Sequence, residues 1–109
     1  MSLASRLVLA WAMLAATASF AVAVEVGNVN QGLRLARDQC AQCHAVTKGG
    51  HSTKAGATAF ETLANTPGLN AMALRAALQT SHRTMPNLIV AGNDAADIIA
   101  YILSLRTGK

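Results

Sequence analysis

The chain has 109 residues, 52% hydrophobic and 13% charged, with a formal net charge of +4 at pH 7. That length suits one small domain, and no repeat or low-complexity tract suggests otherwise. The positive charge is spread thinly, without the dense basic cluster that a nucleic-acid-binding surface requires.

The first 23 residues have the layout of a secretory leader. Arg6 is a basic head, Leu7 to Ala16 an apolar middle, and Ala21-Val22-Ala23 an Ala-x-Ala cleavage signal. Cleavage after Ala23 leaves a working domain of residues 24–109. The competing reading is an uncleaved anchor, since Leu7 to Val24 approaches spanning length. The small residues before Val24 favour the leader, and with it no stable membrane insertion. Trp11 and Phe20 leave with it, so the domain keeps two aromatic residues, Phe60 and Tyr101, and eight Lys/Arg against five Asp/Glu. Domains this short usually need a staple or a cofactor to complete their core.

Asn28-x-x-Gln31 reads as an N-cap with a capping-box partner, opening a helix to about Gln39. Val29, Leu33, Ala36 and Cys40 share one face at helical spacing, so this helix carries the first cysteine to the core.

Cys40-Ala41-Gln42-Cys43-His44 follows, and this pentapeptide points to a cofactor. Two thiols two residues apart, followed at once by an imidazole, fit a haem held by two thioethers with His44 on the iron. One helical turn brings both sulfurs to one edge of a porphyrin while the next residue projects over its face. Cys40 and Cys43 are the only cysteines, so one haem c is the ceiling. Zinc, redox-dithiol and disulfide roles suit the pair less well. A zinc site wants four well-spaced ligands, and His51 and His82 do not form the usual close pair. A thioredoxin-like dithiol follows a strand, whereas a helix precedes Cys40. A bare disulfide leaves His44 and the later Met85-Pro86 without a role.

From Ala45 to Ala57 the chain is polar and Gly-rich and reads as a loop. Thr58 to Ala64 suits a short helix with Phe60 and Leu63 turned inward, broken by Asn65-Thr66-Pro67-Gly68. Asn70 caps a third helix through about Thr80, with Leu74, Ala77 and Leu78 on its buried face. The last helix is capped by Asn93 or Asp94, with Asp97 in its first turn, Arg106 in its last and Gly108 after it. Ile98, Tyr101, Ile102 and Leu105 stand at i, i+3, i+4 and i+7. No segment alternates with a period of two, so the fold is expected to be all-α.

A second iron ligand would come from Met72, Met85, His51 or His82. Met72 lies among alanines and leucines inside the third helix, where methionine usually fills core space. Met85 precedes a proline, which disfavours helical backbone and places it on an extended segment that can lie across a porphyrin. Met85 is therefore the expected ligand. His82 is its loop-borne competitor, and His51 reads as a surface residue.

With the attachment motif, Met85-Pro86 and the Asp97–Ile102 helix segment together, residues from about Asn28 to Leu105 resemble a small bacterial class I cytochrome c. The resemblance implies three to four short helices around one covalent haem, with Gly32 and Tyr101 marking the crossing of the first and last helices. Ser81 to Asn87 also resembles the methionine-ligand loop of alphaproteobacterial members. There are departures. An aromatic often stands at the place of Ala36. A proline whose carbonyl accepts the ligand histidine's N–H is commonly found where this chain has Ala57-Thr58-Ala59. A tryptophan near the propionates is also missing.

His44/Met85 ligation would fill both axial positions, leaving no open site for a substrate, so a non-enzymatic electron carrier is expected. Leader and resemblance together imply a periplasmic shuttle serving redox protein partners. Lys48, Lys54, Arg75 and Arg83 are candidate steering cations, or simply four solvated charges. Two rival functions are a haem subunit of a periplasmic dehydrogenase or oxidase, and a ligand-binding sensor whose methionine dissociates.

Overall fold

The computed structural model describes residues 2–3, 26–80, 84–86, 88–90 and 92–108. The apolar middle and cleavage site of the expected leader, His82 and Arg83 lie outside the described residues. Among the described residues no helix is long and apolar enough to cross a membrane. Four helices, and no strand, make up the described domain: α1 (Val29–Gln39), α2 (Phe60–Ala64), α3 (Ala71–Gln79) and α4 (Gly92–Ser104).

Asn28 caps α1 through its side chain, which accepts the Gln31 N–H at 2.9 Å. The reciprocal half of the expected capping box does not form. The Asn28 N–H instead donates to the Asp97 carboxylate of α4 at 2.6 Å, a charge-assisted bond that a neutral glutamine does not match. The Gln31 side chain turns to Arg34, accepting from its Nε at 3.0 Å. Val29, expected on the buried face, is 42% exposed. The helix packs through Gly32 and Ala36, one residue further round, because that is where α4 crosses.

The crossing of α1 and α4 is the most extensive helix contact. A Cβ on Gly32 would lie 2.0 Å from the Asp97 carbonyl oxygen and 2.8 Å from Tyr101 Cβ. A Cβ on Gly27 would meet the Ala96 carbonyl oxygen at 2.0 Å. Ala36 is fully buried beside them; without side chains in the way the two backbones simply approach more closely.

Ile98, Tyr101 and Ile102 along α4, and Leu105 just past its end, are all buried, as their spacing requires. The helix starts at Gly92, so Asn93 and Asp94 fall inside its first turn rather than at the cap. Arg106 lies past its end and does not serve its last turn. The Arg106 guanidinium donates to the carbonyls of Ala64, at 3.0 Å, and Leu69, fastening the loop between α2 and α3 to the C-terminal segment. Phe60, Ala64 and Leu74 pack on the inner face of α4 together with Val46 and Val90.

In α3 the Asn70 cap forms as expected, its side chain accepting the Ala73 N–H at 2.9 Å. Met72 does not fill the core: it is 81% exposed on the outer face of α3. The buried stripe of that helix is set by Leu74, and Met72 falls on the opposite side of the turn.

Candidate functional site

The C-terminus of α1 runs directly into the cysteine motif. The Cys40 N–H closes on the Ala36 carbonyl at 2.9 Å, and one further turn follows. The amides of Cys43 and His44 donate to the Cys40 carbonyl at 3.1 and 2.9 Å. This turn stacks both thiols and the imidazole on one side of the chain. Cys40 is buried and Cys43 half-buried, and neither is disulfide-bonded. Burial pushes the Cys40 thiol above its ordinary range.

His44 is held from behind. Its Nδ1–H donates to the Thr58 carbonyl at 2.6 Å, and its ring lies 5.7 Å from that of Phe60, tilted by 47°. A main-chain carbonyl only accepts, so the proton sits on Nδ1 and the Nε2 lone pair is left free. The proline absent from Ala57-Thr58-Ala59 is therefore not needed for this bond. The same bond explains why α2 starts at Phe60 and not at Thr58: the Thr58 carbonyl is committed to His44, and the Phe60 N–H donates to the Ala45 carbonyl at 2.9 Å.

The loop from Gly49 to Ala59 is fastened to the motif along its length. Ala45 N–H donates to Ser52 Oγ at 2.9 Å, Thr53 Oγ1 donates to the Gln42 carbonyl at 2.5 Å, and Lys54 N–H to the Cys43 carbonyl at 3.3 Å. From the other end of the molecule, Tyr101 Oη donates to the Val46 carbonyl at 2.5 Å. The sequence pattern does not single out Ser52, Thr53 or the Tyr101 hydroxyl contact. Loop hydroxyls carry no periodic signal, and their partners are main-chain atoms whose position only the fold determines.

Cys40, Cys43, His44 and Met85 line one cleft of about 210 Å³. Ala57, Pro86 and Leu88 supply apolar wall, and Gln39, Gln42, Lys54 and Thr84 polar rim. Met85 is half-buried and outside any helix. Its segment is bent rather than extended, with Thr84 in a turn and Met85 at a bend. Met72 and the exposed His51 take no part in the cleft. Of the expected steering cations Lys54 alone among the described residues lines it; Lys48 and Arg75 stand elsewhere.

A curated relative makes the family plain. Over 92 residues the chain is 36% identical to the protein described as cytochrome c-552 of Bradyrhizobium diazoefficiens, covering 84% of this chain and 86% of that one. The chain belongs to the small c-type cytochromes. No family profile matches it, and no solved structure does. As a c-type cytochrome it is an electron carrier with covalent haem c, and the class I helical fold follows. The donor set of the cleft fits that group: two unbridged thiols one turn apart, a free imidazole nitrogen beside them, a thioether on the same cleft and apolar wall between.

Proposed function

We propose that this c-type cytochrome is a periplasmic shuttle in which Cys40 and Cys43 would hold haem c by thioethers and His44 Nε2 and Met85 Sδ would bind its iron. On this reading residues 1–23 are a leader removed after Ala23, and residues 24–109 are the mature domain. The haem, when bound, supplies one reversible single-electron centre.

The residues around it do the rest. His44 presents a fixed tautomer because the Thr58 carbonyl accepts its Nδ1–H, and that bond raises the basicity of the other ring nitrogen. The Met85 thioether, a soft and neutral donor, favours the reduced metal over a second imidazole. With His44 and Met85 both engaged by the iron, no side would be left for a substrate, which suits transfer to redox protein partners rather than catalysis. Pro86 and Leu88 add apolar surface to the cleft, and Phe60 packs beside the imidazole. The single observation that carries the reading is that the motif residues and Met85, more than forty residues apart in sequence, line one cleft.

The test is an absorption titration of the purified holoprotein. One reversible one-electron wave and no carbon monoxide binding by the reduced protein at neutral pH support the carrier. Rapid carbon monoxide binding would instead support a sensor with a labile methionine.

A further inference from the structure

We propose that Lys54 is a positioning residue for the Met85 segment, a strap joining the two lips of the cleft. The proposal rests on His44/Met85 ligation of the iron. Lys54 is anchored at its base on the lip that bears the motif. Its own N–H donates to the Cys43 carbonyl at 3.3 Å, and its neighbour Thr53 donates through Oγ1 to the Gln42 carbonyl at 2.5 Å. Its ammonium reaches across thirty positions of sequence and donates to the carbonyl of Thr84, immediately before Met85, at 2.8 Å. Backbone and side chain of one residue thus hold the residue before the ligand histidine and the residue before the ligand methionine.

Little else does this. Among the described residues the Lys54–Thr84 bond is the one hydrogen bond linking residues 84–86 to a part of the chain distant in sequence. The other bond that residues 84–86 make among the described residues, from Leu88 N–H to the Pro86 carbonyl, is local in sequence. Proline at 86 removes a donor that would otherwise be free to tie the segment elsewhere. A charge-assisted bond to a carbonyl is stronger than a neutral one, and Lys54 also lines the cleft. The strap therefore resists the outward swing of Met85 that an incoming iron ligand requires.

The experiment compares Lys54→Met, Lys54→Arg and Lys48→Met holoproteins with wild type. The readouts are the rate of carbon monoxide binding after reduction, the sulfur–iron charge-transfer absorption of the oxidised form, and the urea midpoint. Carbon monoxide is neutral, so a change in net charge alone leaves its rate alone. Lys54→Met keeps the stem and loses the donor. It should admit carbon monoxide about three- to tenfold faster, with the urea midpoint close to wild type. Lys54→Arg, which restores a donor, should return within about twofold of wild type, and Lys48→Met should match it. Equal rates in Lys54→Met and wild type overturn the strap, as does an equal acceleration by Lys48→Met. A wild-type protein without the sulfur–iron absorption overturns the ligation reading instead, and the strap with it. Faster amide exchange at Thr84 and Met85 in Lys54→Met is expected as well, a readout independent of the iron; unchanged exchange counts against the strap.

Discussion

His44 and Thr58 are joined by a 2.6 Å hydrogen bond in which the imidazole Nδ1–H donates to a main-chain carbonyl. Because the acceptor is backbone, the bond depends on where the loop runs and not on which side chain stands at position 58. The loop in turn is located by Ser52, Thr53 and Lys54. Ser52→Ala leaves the buried Ala45 N–H without its acceptor and should cost about 1–2 kcal/mol. Urea denaturation of the holoprotein checks that value. A looser Thr58 carbonyl makes His44 a weaker base, so the reduction potential should rise slightly.

Gly32 is the tightest point of the α1–α4 crossing. A methyl group there would have to displace the backbone of Asp97, which lies in the middle of a helix and cannot yield as a side chain would. Gly32→Ala should destabilise the protein by about 3 kcal/mol or more, at the upper end of overpacking penalties. A variant with an unchanged urea midpoint would mean that the two helices cross elsewhere.

Tyr101 ties α4 to the loop that follows the Cys40–His44 turn, and burial raises its hydroxyl above the ordinary tyrosine range, with Arg37 opposing. The folded state therefore holds this proton more tightly than the unfolded chain does. Its contribution is complete below the unfolded value of about 10 and is lost as pH rises through the higher folded value. Tyr101→Phe should cost about 1 kcal/mol at neutral pH. It should also flatten the decline in stability above pH 10, measured as urea midpoints across the alkaline range.

Electrostatic steering should be weak. Lys54 stands at the cleft with its ammonium on Thr84, while Lys48 and Arg75 do not line it. Electron exchange with an acidic redox partner should slow by less than about threefold between low salt and ~0.15 M. A loss of tenfold or more would show a cationic ring assembled around the cleft.

Much of the fold and site is legible in the sequence, for physical reasons that differ by residue. The α4 stripe and the Asn70 cap follow from local periodicity and side-chain chemistry, and both appear. The Cys40–His44 turn follows from the spacing of its donors. Val29 misleads because helical spacing identifies a face without saying how far round it the neighbouring helix sits, and Met72 because its residue type and apolar neighbours suggest core where its position falls opposite Leu74. The Asn28–Asp97 bond spans 69 positions, and no local pattern distinguishes it from a capping box. In the sequence Lys54 is one solvated cation among four. Its role as a bridge depends on the bent course of Thr84 to Pro86, which a proline alone does not specify.

The ligand on the second face of the iron is the claim on which the rest depends. Met85→Ala and Met72→Ala holoproteins, oxidised, should be compared by absorption spectroscopy for the sulfur–iron charge-transfer band. Met72, exposed on α3, should leave the band untouched when replaced, whereas Met85→Ala should abolish it and lower the reduction potential. A band that survives Met85→Ala would contradict ligation by Met85.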